Sequence, residues 1–421
     1  MKRSSFERRL RDELQAARPP RAADAERRAW QVVEAAHAGR GATSRPRRGP
    51  KVAVALTAVA VLAALALTPA GAKVGHWIGD VVSPPPEATR TALAALPADG
   101  RLLVLAESGP WIVGDDGTRR RLGAFRDASW SPGGLFVIAA RGRRLTAVEP
   151  DGDERWTRVA SARVATPRWS PDGFRIAYRS GRDLYVAVAD NSEGWLLDRG
   201  VRRAAPAWRP GQPDNRQVLA YARGTRIYVV DADRAGGARR VLGRTPSGPP
   251  ARELWWGAGG RRLIAVSRRT VRVHDARGRL LRSIPLPGAL RAGGSALAPD
   301  GRLLAVAAAA PAAHSSELLL MRTDRAAPPI RPLRDFGPLR GLTWSIDGRV
   351  LVAGLPEADQ WLFLRLRGRR GLMSVKGIRA KFRGGRPVRS GAFPRPAGWC
   401  YAEPLAPGAS SPTPCSTGAS P

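Results

Sequence analysis

Cysteine, histidine and methionine are all scarce in this chain of 421 residues, which holds 2, 4 and 3 of them. Neither cysteine stands at a metal-ligand spacing from a histidine, so a zinc site built on the usual sulfur and imidazole ligands is not expected. The sequence contains no G-x-S-x-G elbow, no H-E-x-x-H pair and no P-loop, so the common hydrolase, zincin and nucleotide-binding signatures are missing. His274 falls inside the strand-like stretch VRVHD and reads as structural, and His314 sits in an Ala-rich loop beside Ser315 and Ser316. His37 and His76 flank the apolar run described below, one on each side. No catalytic residue, metal ion or cofactor is expected, and the chain reads as non-enzymatic.

Acidic residues are also in short supply, with Lys+Arg 70 against Asp+Glu 35, for a net charge of +35 carried almost wholly by arginine. Such a balance suits nucleic acid, anionic lipid or an acidic wall polymer. The arginines are scattered along the chain and crowd no single predicted helix or strand, which favours a solvated surface. No aromatic-rich basic groove stands out, so nucleic acid is not expected as a partner.

Long apolar runs are absent apart from one. Residues 52–72, VAVALTAVAVLAALALTPAGA, carry no charge between Lys51 and Lys73, and as a helix they would cover about 30 Å. Arg40, Arg45, Arg47, Arg48 and Lys51 precede the run and orient the N-terminus to the cytoplasm. Ala70-Gly71-Ala72 has the form of a cleavage site, but about 50 residues ahead of it is long for a secretory leader. A retained single-pass anchor is expected over 51–73, with a linker at 74–89 and everything beyond it outside the cytoplasm. Residues 1–50 read as a basic, helical cytoplasmic segment, with 14 basic and 6 acidic side chains over 1–51. That segment is either a topology-setting tail or a docking site for a cytoplasmic regulator.

The remainder is rich in glycine and proline, 46 and 37 residues, as many tight turns require. Residues 167–178, PRWSPDGFRIAY, place a Trp-Ser-Pro-Asp-Gly turn before an alternating strand, and the form recurs. It is found at 95–106, 129–140, 207–222, 255–266, 295–306 and 342–353, with turn glycines Gly100, Gly134, Gly173, Gly211, Gly260, Gly301 and Gly348. Their intervals of 34, 39, 38, 49, 41 and 47 residues match one four-stranded blade per unit. Pro132, Pro171, Pro210 and Pro299 preset φ in the turns, and Asp172 and Asp300 can accept hydrogen bonds from turn amides. Trp130, Trp169, Trp208 and Trp344 precede the turns and are expected to fill the wedges between blades. The first copy lacks this Trp.

The W-S-P-D-G-x-x-[IL]-[AV] pattern resembles the TolB-type, WD40-like propeller repeat, over roughly residues 90–370. The resemblance implies an all-β propeller of seven blades, or six with an irregular end, acting as an interaction platform in a bacterial cell envelope. The propeller is expected over 90–398, preceded by the short helical segment and one transmembrane helix. A disordered tail is expected over 399–421. Cys400 and Cys415 either form a disulfide in that tail or are two free thiols. The expected partners are an envelope protein or an anionic cell-wall polymer, with the membrane engaged through 52–72. A signalling protein with 1–50 inside and the propeller as an outside sensor is the competing reading, and an exported enzyme a minor one. The loops 107–112, 211–216, 245–253, 307–316 and 354–360 interrupt the repeat and are candidate binding loops.

Overall fold

A computed structural model describes residues 93, 95–211, 216–233, 240–257, 259–310, 315–367, 371–384, 393–401 and 415–417. The segment 1–50 expected to be helical, the apolar run 52–72 and the linker 74–89 lie outside these residues, as does His314.

Seven antiparallel sheets make up the domain, and six of them are meanders of four strands paired with their sequence neighbours. Blade 2 is representative, with strands Asp127–Trp130, Val137–Arg141, Arg144–Val148 and Glu154–Val159. Blades 3 to 7 begin at Val164, Ala207, Glu253, Arg291 and Arg340. The seven-bladed reading holds and the six-bladed one does not.

Blade 1 explains the missing Trp. Its outer strands, Arg101–Ala106, Gly109–Val113 and Arg119–Arg121, come from the start of the domain. Its inner strand, Arg395–Cys400, comes from the end and pairs antiparallel with Arg101–Leu105. Trp399 therefore stands where Trp130 and Trp344 stand in their blades, and its indole donates to the Asp99 carbonyl at 3.0 Å. Joining the two chain ends in one sheet closes the ring without leaving an open edge. The propeller thus continues past residue 398, because Trp399 and Cys400 are fully buried parts of a strand. Cys400 is disulfide-bonded to Cys415. The residues that follow, Ser416–Thr417, add a short fifth strand against Gly398 and Trp399.

Core packing lies between adjacent sheets. Ile138 and Leu145 of blade 2 meet Ile176 and Tyr178 of blade 3 in one such wedge. Leu263 and Ala265 of blade 5 meet Val218 and Val229 of blade 4 in another. Each second strand is buried on both faces, which is why it reads as a continuous apolar run such as VIAA or LIAV.

The recurring turn is a closed hydrogen-bonded unit. Ser170 Oγ donates to Asp172 at 2.5 Å and accepts from the Arg175 amide at 2.8 Å, while the Ser170 carbonyl accepts from the Gly173 amide. Ser345 and Asp347 repeat this geometry. All seven turn glycines have φ between 65° and 117°. At Gly100 the need is doubled, because a Cβ there would meet the Cys400 carbonyl at 2.2 Å.

Candidate functional site

In a four-stranded meander the turns alternate between two rims. The first and third turns of each blade lie on one rim. The second turn and the connection to the next blade lie on the other. On the second rim, the turns of blades 2 to 5 carry Arg141 and Arg143, Arg182, Arg223, and Arg268 and Arg269. The connections between blades add Arg126, Arg163, Arg202, Arg203 and Arg252 to the same rim. All of these are exposed.

Neutralising carboxylates are few there. Asp183 accepts from the Gly200 amide, and Asp198 accepts from the Tyr221 hydroxyl and pairs with Arg223. Arg144, just after the second turn of blade 2, pairs with Glu154 at 3.9 Å. Several of the guanidinium groups are held by backbone carbonyls instead: Arg143 by Ala160, Arg202 by Gly224, Arg252 by Ala292 and Arg269 by Gly288. A carbonyl fixes a guanidinium without cancelling its charge.

The opposite rim is built differently. Its turns hold Glu149, Asp151, Asp153, Asp172, Asp190, Asp231, Asp233 and Asp275, many of them accepting from turn amides. Several of its arginines are paired, as in Arg155–Glu149, Arg175–Asp233, Arg279–Asp275 and Arg367–Asp300. One rim therefore carries most of the turn carboxylates, and the other an excess of arginine.

The inner strands surround the central channel and carry further charge. Arg168 of blade 3 interacts electrostatically with Asp127 of blade 2, Glu253 of blade 5 and Arg395 of blade 1. Blades 3 and 5 are not neighbours, so the Arg168–Glu253 interaction runs across the channel. Arg395 feels Asp127 and Arg340. Burial depresses the pKa of both Arg168 and Arg395, with Asp127 opposing it. Asp127 is 6% exposed and accepts from the Thr166 amide at 2.8 Å. Glu253 accepts from Ser295 Oγ, which also accepts from the Trp255 indole at 2.9 Å.

Burial pushes the Glu253 carboxyl up to about 7, against the opposing hydrogen bond from Ser295. His274 is buried in the third strand of blade 5, with Nδ1 3.2 Å from the Gly278 carbonyl, and its role is structural. Burial and then Arg272 lower its pKa to about 4. A raised carboxyl favours folding below its ordinary 4.5, and this contribution is lost as pH rises through about 7. A lowered imidazole favours folding above its ordinary 6.5, and that contribution is lost as pH falls through about 4. The two slopes oppose each other between 4.5 and 6.5. Glu253→Gln is expected to stabilise the protein by about 1–2 kcal/mol at pH 8 and little at pH 5, and to steepen its acid loss. Urea midpoints at pH 5, 6.5 and 8 measure this, and a gain confined to pH 5 would contradict it.

The residues singled out from the repeat are placed in the scaffold. Trp130, Trp208 and Trp344 are buried and Trp169 partly so. The indole of Trp208 donates to the Arg168 carbonyl, that of Trp256 to Ala207 and that of Trp344 to Ala296. Each bond links an inner strand to the inner strand of the preceding blade. Trp256, in the fifth copy, belongs to this series as well. Asp300 accepts from the Arg302 amide. Among the described residues no group of three or more His, Cys, Asp or Glu could hold a metal ion.

Of the five candidate loops, 107–112, 245–253, 307–316 and 354–360 fall, so far as they are described, at second turns or blade connections on the cationic rim. Loop 211–216 belongs to a first turn and lies on the other rim. The arginines of the second turns do not stand out as a set in the sequence, where they are scattered among many others.

No protein-family model matches the chain, and no curated protein matches it. Among solved structures it is similar to Kuenenia stuttgartiensis hydrazine synthase, at 16% identity and TM-score 0.49, over 56% of this chain and 75% of that one. The β-propeller domain of Myceliophteria thermophila Cps50 (Swd1) is 15% identical with TM-score 0.47, over 60% of this chain and 86% of that one. The C-terminal WD40 domain of Sif2 is 12% identical with TM-score 0.48, over 64% and 79%. Likeness this distant bears on no partner and no activity. The chain is a seven-bladed propeller by its own sheet order.

Proposed function

We propose that this chain is a non-enzymatic binding platform outside the cytoplasm, anchored by residues 52–72, that receives an anionic cell-envelope partner on its arginine rim. The observation that carries this reading is the separation of charge. Exposed arginines outnumber carboxylates on one rim of blades 2 to 5, while the turn acids gather on the other. An acidic wall polymer with repeated phosphates suits an arc of guanidinium groups, because each fork takes two oxygens of one phosphate. The Cys400–Cys415 disulfide supports an oxidising compartment, and with it an extracytoplasmic propeller. The basic stretch before residue 52 supports a cytoplasmic N-terminus.

The test uses the full chain in detergent with immobilised poly(glycerol phosphate). The expected binding weakens steeply with salt. The combined variant Arg141→Gln, Arg143→Gln, Arg182→Gln, Arg269→Gln should weaken it by about 100-fold, at somewhat under 1 kcal/mol for each charge. Arg277→Gln on the opposite rim should leave it unchanged. Equal binding by the rim variant, or equal binding to a neutral polysaccharide, would overturn the proposal.

A further inference from the structure

Exposed apolar side chains gather on one edge of the propeller. Of the seven large ones among the described residues, only Val159 lies on the arginine rim. Phe174 stands in the first turn of blade 3. Val241, Leu280, Leu281, Ile330 and Met373 fall within the first three residues of the outer strands of blades 4 to 7. Each outer strand begins at a third turn, so all six side chains belong to the rim opposite the arginines.

Neighbouring blades bring them side by side. A Cβ added at Gly243 of blade 4 would meet the Arg277 carbonyl of blade 5 at 2.2 Å, so that outer strand lies on the next blade's third turn. Arg282 of blade 5 donates to the Arg322 and Thr323 carbonyls, where the third turn of blade 6 opens. In blade 5 the pairing slips between Val273 and His274, leaving Leu281 as the extra residue. A regular strand would turn one of two successive side chains toward a neighbouring blade. The bulge lets both face water, Leu280 at 43% exposure and Leu281 at 47%.

Strand addition by another protein is disfavoured at these edges, because Pro332 lies within the outer strand of blade 6 and Pro285 ends that of blade 5. Arg244, Arg277 and Arg325 stand exposed among the apolar side chains. The carboxylates nearby are held by other arginines: Asp233 by Arg175, Asp275 by Arg279 and Asp324 by Arg322. Apolar side chains on a convex edge, interleaved with guanidinium groups long enough to reach phosphates, suit the headgroup layer of a bilayer.

The chain also enters the propeller at this rim. The Leu96 amide donates to the Asp115 carbonyl in the third turn of blade 1, and the Asp99 carbonyl accepts from the Trp399 indole, before the first strand opens at Arg101. The segment leading back to the apolar run 52–72 therefore leaves from the rim that carries the apolar belt.

We propose that this belt, centred on Leu280, Leu281 and Ile330, seats the propeller on a lipid bilayer. Its apolar side chains enter the headgroup layer, and Arg244, Arg277 and Arg325 contact lipid phosphates. The proposal rests on the reading of 52–72 as the anchor that holds the propeller near the bilayer, and it turns the arginine rim away from the membrane.

Single cysteines carrying a polarity-sensitive dye test this in the full chain, reconstituted in phosphatidylglycerol–phosphatidylcholine nanodiscs with or without doxyl-labelled lipid. Cys400 and Cys415 are bonded to each other, so the introduced thiol alone takes the dye. Dye at Leu281→Cys should be blue-shifted and quenched at least threefold by doxyl lipid, and dye at Val159→Cys should be neither. The combined variant Leu280→Ser, Ile330→Ser, Arg277→Gln should remove the quenching of dye at Met373→Cys. The three replaced side chains are exposed, so the fold is kept and the thermal melt should not change. Dye at Leu62→Cys reports the anchor separately. Quenching at Leu62 without quenching at Leu281 overturns the belt and leaves the anchor standing. Quenching at Leu281 without quenching at Leu62 overturns the anchor and leaves the belt standing, and quenching at neither overturns both. Equal quenching at Leu281 and Val159, or a blue shift at Leu281 without quenching, as contact with a second copy would give, also overturns the proposal.

Discussion

A chain ended at Pro394 is expected to lose cooperative folding. The cut removes Arg395–Cys400, the inner strand of blade 1, and with it the pairing that joins the two ends of the ring. Leu102, Leu103 and Val104, fully buried in the intact protein, would then stand on an open sheet edge. Trp399, also fully buried, would be gone from the wedge it shares with Val352 and Trp361 of blade 7. Losses of this size exceed the roughly 5–15 kcal/mol by which folded domains are stable. Circular dichroism melting should show a broad, low transition, with dye binding to exposed apolar surface. A sharp melt near that of the full chain would contradict the closure. The double variant Cys400→Ser, Cys415→Ser is a milder version of the same test. It keeps the strand but frees a loop of 15 residues' separation, at a cost of about 3 kcal/mol.

Trp344→Ala is expected to cost about 3–5 kcal/mol, as large-to-small changes in a packed core do. Trp344 is 1% exposed, and its indole bonds the Ala296 carbonyl of the preceding blade at 3.0 Å. Trp344→Phe separates volume from hydrogen bonding, since it keeps most of the ring and leaves that carbonyl without its donor. About 1–2 kcal/mol is expected for it. Urea titration of both variants measures the difference. No loss in Trp344→Phe would show that the inter-blade bond contributes nothing, and equal losses in the two variants would contradict the packing contribution of the ring. Trp208 and Trp256 make the corresponding bonds and should behave alike.

Much of the scaffold was legible because each repeat spends the same residues on the same physical task. A turn closed by Ser170, Asp172 and Gly173 needs those residues, so it appears in sequence wherever the turn recurs. Closure was harder to read. The Trp absent before Gly100 is supplied by Trp399, some 300 residues away, and no local pattern announces a strand borrowed from the other end. The stretch GWCY looks like the start of a tail, yet Trp399 and Cys400 are its most buried part.

The cationic rim was legible in principle. Three first turns read PDG or IDG and third turns include DDG, PDGD and DNSE, whereas the second turns of blades 2 to 5 read RGR, SGR, RGT and SRR. Turn parity decides the rim, so alternation of charge along the chain becomes separation of charge in space. Reading the arginines by linear density hid this, because density is even while parity is not.

Hydrogen exchange on the full chain, with and without bound poly(glycerol phosphate), tests the central claim most directly. The account predicts slowed exchange in the second turns of blades 2 to 5, around Arg141–Arg143, Arg182, Arg223 and Arg268–Arg269. It predicts no change in the acidic turns around Asp151, Asp190 and Asp275. Protection of the acidic rim, or an even change over both rims, would contradict it.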